Sequence, residues 1–111
     1  MKFVFVYITA PSEEKAIEMA RHLLERRLIA CANTFPVRSL YHWEGKISDE
    51  KEHVLIAKTT ESMFEKTKEE VEKIHPYSVP CIAKISVEPN KTYADWLLGE
   101  LEKHPKTDKS I

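Results

Sequence analysis

A long extended segment interrupted by a single turn is the feature that most constrains this fold. Residues 29–44 read as one strand, Gly45 can take the positive φ that a tight hairpin turn requires, and residues 54–57 supply the returning strand. Roughly 16 residues at about 3.3 Å each give a ribbon of about 50 Å. The preceding helical pattern covers only about 22 Å at about 1.5 Å per residue. The hairpin should therefore extend beyond its own helix layer.

The overhanging end of this hairpin carries two large aromatic residues, Tyr41 and Trp43. One interpretation is that both rings pack on the helices of their own domain, because aromatic side chains are usually well buried. The other is that they contact a second molecule. Because the ribbon is longer than the helix layer, the sequence favours an intermolecular contact.

The order of the predicted elements indicates the fold class. Short β-branched and aromatic runs of strand length alternate with segments whose apolar residues recur at helical spacing. The order is strand, helix, strand, strand, helix, strand, which is the α+β, ferredoxin-like βαββαβ arrangement with an antiparallel sheet. A short C-terminal helix through Trp96, Leu97 and Leu101 follows. The strands are predicted at 3–8, 29–44, 54–57 and 81–87, and the main helices at 13–27 and 62–75.

Three helix starts and one strand edge are also predicted from local signals. Ser12 is a candidate N-cap for the first helix. For the second helix Ser62 and Glu65 match a capping box, and for the C-terminal helix Thr92 and Asp95 match another. Pro36 interrupts the long extended segment, so we expect an edge position or a bulge there.

The predicted sheet has apolar residues on both of its faces. In a βαββαβ domain both main helices cover one face, and the other face should be polar in a monomer. Here the first strand is apolar throughout, and residues 81–87 carry only Lys84 and Ser86 as polar interruptions. An exposed apolar face of that size favours association. We therefore predict a single domain over residues 1–111, with a frayed tail at 104–111, that assembles into an oligomer.

Composition excludes several function classes. The chain has 17 basic and 18 acidic residues with a net charge of −1, and no basic stripe suited to a phosphate backbone. No apolar run approaches the roughly 20 residues that span a bilayer, and the first residues lead directly into strand-like sequence without a signal-peptide pattern. Cys31 and Cys81 lack the paired spacing of a disulfide framework or zinc ribbon. We expect a cytoplasmic protein that binds neither nucleic acid nor membrane.

Six stretches spread over about residues 4–98 carry a specific resemblance through their order and spacing. They are Thr9-Ala10-Pro11, Arg27-Leu28-Ile29-Ala30-Cys31-Ala32-Asn33, Ser39-Leu40-Tyr41-His42-Trp43-Glu44-Gly45-Lys46, Lys58-Thr59, His75-Pro76-Tyr77-Ser78-Val79-Pro80 and Tyr93-Ala94-Asp95-Trp96. Together they resemble the CutA family of divalent-cation tolerance proteins. The resemblance implies a ferredoxin-like protomer in a tight homotrimer, similar in architecture to PII signalling proteins. It also implies a role in tolerance of divalent metals such as copper, with no established enzymatic reaction.

The two cysteines are the candidate metal ligands. Cys31 is at the recurrent cysteine position of the family, and a soft thiolate suits copper(I) or zinc. Cys81 stands where the family usually has Glu, so this chain has an additional thiol in place of a carboxylate. The alternative is that both thiols are small buried packing residues. No cofactor is expected to be obligatory, and copper or another divalent metal is a possible ligand.

A ligand or interface cleft is the second candidate site. His75 precedes Pro76 at a helix end, where its imidazole can fix the turn or contact a ligand. Lys58 lies within an apolar strand, so its ammonium should pair with a carboxylate, such as Glu44, Glu52 or Glu69, or line a cleft for a small anion. The candidate cleft residues are Tyr41, Trp43, Glu44, Lys58, His75 and Tyr77.

No enzymatic motif is present in the sequence. With 2 Gly the chain has no Gly-rich phosphate loop, and it contains no Gly-flanked nucleophilic Ser or His-Glu-x-x-His motif. An acylphosphatase-like activity is conceivable from the fold alone, which is weak support. We predict a non-enzymatic trimer for metal tolerance. The alternative is a PII-like trimeric sensor with ligand clefts between subunits.

Overall fold

The computed structural model describes residues 1–103 and confirms the predicted α+β, ferredoxin-like order. One antiparallel four-stranded sheet has the strand order β2-β3-β1-β4. The tail predicted to be frayed, residues 104–111, lies outside the described residues. The elements are β1 (Phe3–Ala10), α1 (Glu13–Glu25), β2 (Cys31–Trp43), β3 (Lys46–Thr60), a 3-10 turn (Glu61–Met63), α2 (Phe64–Ile74), β4 (Ile82–Val87) and α3 (Lys91–Leu101).

The core lies between one face of the sheet and the helices α1 and α2. Alternate residues of β1 are fully buried on this face, as the period of two in a strand requires. They pack with buried residues of α1, β3 and α2 in one cluster. The β1 members are Val4, Val6, Ile8 and Ala10, and their partners include Met19, Leu23, Leu55 and Val71.

Helix α1 begins as predicted and ends two residues earlier than predicted. The side chain of Ser12 accepts a hydrogen bond from the Lys15 amide, which confirms Ser12 as the N-cap. At the other end Arg27 has a φ of 57°. The amide of Leu28 bonds the carbonyl of Leu23, which closes the helix in a Schellman-type turn. This turn ends α1 at Glu25.

The hairpin of β2 and β3 extends beyond the rest of the sheet, as predicted. The last pair between β1 and β3 is Ala10 with His53, so residues 37–52 pair only with each other. Its two-residue turn has φ values of 50° at Glu44 and 77° at Gly45, the pattern of a type I′ turn. The longest dimension of the molecule is 51 Å. Pro36 lies on the edge strand β2, which confirms the predicted edge position.

The second face of the sheet, which we call the open face, carries apolar residues and is only partly covered. Register places Phe5 between Lys58 of β3 and Ile85 of β4, all on this face. Helix α3 packs at one end of it through Leu97, which is 1% exposed. Ile85 at the β4 edge remains 47% exposed. The predicted apolar open face is confirmed, and the position of α3 on it is a feature that the sequence left undetermined.

Both predicted capping boxes are wrong. The hydroxyl of Ser62 bonds that of Thr60, because a 3-10 turn precedes α2, and α2 begins at Phe64 without a side-chain cap. At α3 the side-chain amide of Asn90 donates a hydrogen bond to the hydroxyl of Thr92. Asp95, the other member of that predicted box, instead binds Lys91 one turn earlier.

Candidate functional site

A cavity of about 600 Å³ lies between the hairpin tip and the segment that joins α2 to β4. Three aromatic side chains and two carboxylates line it. The lining residues that belong to strands lie on the open face, with the exception of His42. Strand pairing places them on the same side of the sheet as Thr9. We call it the hairpin cavity. Its lining residues are Thr9, Tyr41, His42, Trp43, Glu50, Glu52, Pro76, Tyr77, Ser78, Val79 and Cys81.

The side chains of Tyr77 and Glu52 form the inner wall of this cavity. The hydroxyl of Tyr77 donates a 2.5 Å hydrogen bond to a carboxylate oxygen of Glu52. Glu52 is only 7% exposed, so this donor offsets part of the cost of removing the carboxylate from water. Burial and the Glu52 carboxylate raise the pKa of Tyr77 well above its ordinary value. Tyr77 therefore stays a protonated donor at neutral pH.

A second tyrosine–carboxylate pair lies nearer the hairpin tip. The hydroxyl of Tyr41 donates a 2.8 Å hydrogen bond to Glu50, and this bond together with partial burial raises the pKa of Tyr41. Trp43, two residues along the same strand, is 47% exposed beside it. The pair and the indole ring leave an exposed aromatic and acidic rim around the cavity mouth.

His75 connects the end of α2 to β1 and to the Tyr77 backbone. Its Nε2 lies 2.7 Å from the carbonyl oxygen of Thr9, which can only accept, so Nε2 carries the proton. Its Nδ1 accepts a 3.1 Å hydrogen bond from the amide of Tyr77. Both ring nitrogens of the neutral imidazole are therefore engaged within the chain. This geometry fits the turn-fixing interpretation of His75, and it positions Tyr77 against the hairpin.

Three of the predicted cleft residues, Glu44, Lys58 and His75, are not among the residues that line the hairpin cavity. Glu44 lies exposed in the hairpin turn. The Lys58 ammonium lies 5.3 Å from the centroid of the Phe5 ring and 5.6 Å from that of Tyr93. Within residues 1–103 it makes no ion pair, so Glu44, Glu52 and Glu69 of the same chain are not its partners. A partner across an interface, or a cleft for a small anion, stays a prediction. Aromatic faces lie beside the ammonium and form cation–π contacts with it, because α3 brings Tyr93 over the strand.

The two cysteines lie at opposite ends of the sheet. Cys31 pairs in register with Lys58, whereas Cys81 precedes Ile82, which pairs with Ile8. This spacing separates them by on the order of 13 Å along the strands, about four residues at 3.3 Å each. One ion cannot bind both thiols of one chain at that separation. In the described part of the chain, no group of three or more His, Cys, Asp or Glu side chains is placed to hold a metal ion.

The surroundings of the two thiols differ. Cys81 is exposed in the hairpin cavity, so its interpretation as a buried packing residue is wrong. Cys31 is partly buried, next to Tyr93. Burial and the neighbouring Cys31 thiol raise the pKa of Tyr93 to about 12. The Tyr93 hydroxyl oxygen is buried without a hydrogen-bond partner among the described residues.

Two residues that give the cavity its charge, Glu50 and Glu52, were not predicted as site residues from the sequence. Glu50 was not singled out, and Glu52 was named only as a possible partner of Lys58. The available signal was their spacing of two, which places both carboxylates on one face of a strand. The register of the hairpin puts that face on the same side as Tyr41.

Comparison with known proteins gives matches over nearly the whole described chain. The family model described as CutA1 divalent ion tolerance protein matches residues 4–100. The divalent-cation tolerance protein CutA of Thermotoga maritima is 50% identical over 95 residues, which cover 85% of this chain and 94% of that protein. The corresponding protein of Archaeoglobus fulgidus is 45% identical over 94 residues, 84% of this chain and 92% of that protein.

A solved structure supports the same relationship. The structure described as the periplasmic divalent cation tolerance protein CutA from Archaeoglobus fulgidus superposes with a TM-score of 0.88 at 42% identity. The match covers 90% of this chain and 99% of that one. Within residues 1–103, none of the helices combines the length and apolar character needed to span a membrane.

Proposed function

Because the chain belongs to the CutA1 divalent ion tolerance protein family, we propose that it is a homotrimeric, non-enzymatic protein of divalent metal ion tolerance, with copper as its principal metal. The observation that carries this proposal is the family match over residues 4–100. The names of its relatives describe tolerance of divalent cations and state no reaction. We infer three subunits, rather than another number, from the sequence resemblance to the CutA family.

The trimer is supported by the apolar surface that a single chain exposes. On the open face Ile85 is half exposed, and at the hairpin tip Leu40, Trp43 and Ile47 are exposed as well. Leu40 and Ile47 lie on the opposite face of the ribbon from Trp43, so a neighbour that enclosed the tip would bury apolar side chains on both faces. Copies that pack through the open face and receive the overhanging hairpins of their neighbours would bury this surface. Size measurement in dilute solution tests this, and a stable folded monomer at micromolar concentration would contradict it.

Direct metal binding is proposed to use the thiols of Cys31 and Cys81. Thiolates are soft ligands that suit copper(I), whereas carboxylates alone suit harder ions. Because the two thiols of one chain lie far apart, each site would combine ligands from more than one copy. Copper(I) affinity measured for the wild type, Cys31→Ser, Cys81→Ser and the double variant tests this. We expect the double variant to lose binding, and equal affinity in all four would remove the thiols from the proposal.

The proposal also includes that the protein catalyses no reaction and that it is located in the cytoplasm. An acyl phosphate turnover assay is expected to give no activity above the buffer rate, and enzyme-dependent turnover would contradict the non-enzymatic role.

A cytoplasmic location is favoured by two free cysteines, since thiols persist in reducing compartments. Fractionation of cells that express the full chain tests the location against the periplasmic assignment in the Archaeoglobus fulgidus description.

Ligand sensing of the PII-like type is a second candidate function. The observation that favours it is the hairpin cavity, whose volume of about 600 Å³ suits a small molecule. Its lining combines the overhanging hairpin with the segment after α2, so a bound molecule would contact an element that we propose to lie at a subunit interface. Calorimetric titration with copper, zinc, nucleotides and small anions separates the two candidates.

A further inference from the structure

We propose that, in the assembled protein, the Lys58 ammonium of one copy reaches into the hairpin cavity of its neighbour and forms an ion pair with Glu52 there. This inference rests on the proposed homotrimer and names a contact that joins its subunits. Within residues 1–103 of one chain, neither group has a partner of opposite charge. The hairpin cavity of each chain is then completed by a basic side chain from a second copy.

Lys58 is a cation on a face that the assembly covers. It is half-buried on the open face, where it pairs in register with Phe5. Cation–π contacts with the rings of Phe5 and Tyr93 offset part of the cost of burying its ammonium. A neighbouring copy that covers this face removes the remaining water, and an unpaired ammonium there is strongly unfavourable. We therefore expect the covering copy to supply an anion.

Glu52 is an anion at the base of the overhanging hairpin. It is 7% exposed and lines the hairpin cavity. Its Oε2 accepts a hydrogen bond from the hydroxyl of Tyr77, a neutral donor that leaves the negative charge uncompensated. No Lys or Arg of the described chain lines the cavity. A buried carboxylate in this state keeps most of its desolvation penalty, and a cation from a neighbouring copy would offset it.

Glu52 and Lys58 cannot meet within one chain. Both belong to β3 and lie on the open face, because an even spacing keeps strand residues on one side. Six residues at about 3.3 Å each separate their α-carbons by about 20 Å, which is beyond the reach of the two side chains. The hairpin that carries Glu52 overhangs its own sheet, so it can lie on the open face of the next copy. Two different patches that meet head to tail in this way can close into a ring.

Two further charged side chains lie on the open face of the strands, Lys46 and Glu50. Lys46 is at the hairpin turn, and Glu50 accepts the hydroxyl of Tyr41 at the cavity mouth. Both are exposed in the protomer, whereas Lys58 is half-buried and Glu52 is buried before any neighbour is added. Charges that are already removed from water lose most when they stay unpaired. This difference assigns the contact to Lys58 and Glu52.

A double-mutant cycle on assembly tests the contact. Lys58→Met removes the positive charge and keeps an apolar stem, and Glu52→Gln removes the negative charge and keeps an oxygen that can accept from Tyr77. Each single variant should raise the concentration at which half of the trimer dissociates at least about tenfold, because it leaves the partner charge unpaired. The double variant should dissociate no more readily than either single variant. Sedimentation over a dilution series measures this, and circular dichroism confirms the fold.

Exposed charges on α2 supply the matched controls. Lys66→Met and Glu72→Gln make the same chemical changes away from the open face and should leave dissociation unchanged. Glu50→Gln combined with Lys58→Met tests the neighbouring carboxylate in the same way. Additive effects of Lys58→Met and Glu52→Gln, or coupling of Lys58 to Glu50 in place of Glu52, would overturn the proposal.

A mixture of the two single variants shows whether the contact crosses between copies. Isotope-labelled Lys58→Met protein is dissociated and reassembled with Glu52→Gln protein. In a mixed trimer one interface joins the remaining Glu52 to the remaining Lys58, and another interface has neither charge, so fewer charges stay unpaired than in either parent. Native mass spectrometry should therefore find mixed trimers in excess of the share that random exchange gives. A random share would overturn the proposal, because a pair within one chain gains nothing from mixing.

These outcomes separate the contact from the homotrimer on which it rests. A wild-type protein that is monomeric with its fold intact would remove the homotrimer and the contact together. A wild-type trimer in which Lys58 and Glu52 show no coupling would remove the contact alone.

Discussion

The hydroxyl of Tyr77 donates its 2.5 Å hydrogen bond to Glu52, a residue 25 positions earlier in the chain. Tyr77 belongs to the segment that follows α2, and Glu52 belongs to the base of the overhanging hairpin. This contact joins two parts of the chain that no backbone ladder connects. His75 supports it, because its Nδ1 accepts the amide of Tyr77. The orientation of the hairpin and the shape of the cavity both depend on this pair.

Tyr77→Phe should therefore destabilise the protein. It leaves the buried Glu52 carboxylate without its donor, and a hydrogen bond to a charged group contributes about 1.5–3 kcal/mol. Urea unfolding followed by circular dichroism measures the change in free energy of unfolding. Tyr41→Phe is the matched control, since it removes the same type of bond to the exposed Glu50. A loss no larger for Tyr77→Phe than for Tyr41→Phe would contradict this account.

Alkaline titration should show tyrosines that ionise late. The pKa of Tyr77 is raised by burial and by Glu52, and that of Tyr93 is raised to about 12. A raised pKa in the folded state gives stability that is complete below the ordinary value of 10 and is lost as pH rises above it. Absorbance at about 295 nm should thus keep rising beyond pH 11 in the folded protein. Tyr77→Phe should reduce that late phase, and an unchanged curve would count against the assignment.

Acid should weaken the link between α1 and α3. Glu100 bonds both Lys103 and Arg27, and these cations lower its pKa below the ordinary 4.5. A lowered pKa gives stability that is complete above the ordinary value and is lost as pH falls below it. The free energy of unfolding should fall more steeply below about pH 4.5 in the wild type than in Glu100→Gln. Parallel pH profiles for the two proteins would refute the prediction.

Trp43→Ala should weaken assembly more than it perturbs the protomer fold. If the hairpin tip is buried in the trimer, loss of an interface aromatic costs about 2 kcal/mol or more of association free energy. Trp96→Ala is a matched control, because Trp96 is 45% exposed and Trp43 is 47% exposed. Dilution followed by mass photometry or sedimentation measures dissociation of the trimer. Unchanged dissociation of Trp43→Ala would argue against an interface at the tip.

The hairpin shows what the sequence could determine in advance. Gly45 and the lengths of the extended segments fix a tight turn and a long ribbon, because the turn requires positive φ and strand length follows from residue count. The register then follows from the two-residue loop, so the diagonal positions of Tyr41 and Glu50 on one face were implicit in the sequence. The same logic correctly gave Pro36 an edge position.

The cavity shows what the sequence could not determine. Its second wall is the segment around Tyr77, which joins α2 to β4. The spacing of apolar residues in the sequence does not predict which strand this segment contacts. The failed capping boxes at Ser62 and Thr92 have a similar origin. A local pattern does not reveal that a 3-10 turn precedes α2, or that Lys91 captures Asp95. The position of α3 over Lys58 is likewise a tertiary feature, and it places the Tyr93 ring beside the ammonium.

Native mass spectrometry of the reduced protein with copper(I) tests the central proposal most directly, because it reports subunit number and metal stoichiometry together. The account predicts a trimer that retains copper and a Cys31→Ser, Cys81→Ser double variant that remains trimeric without it. Glu72→Gln should behave as the wild type. A monomer under conditions in which the fold is intact, or a trimer with the same copper content in the wild type and the double variant, would contradict the account.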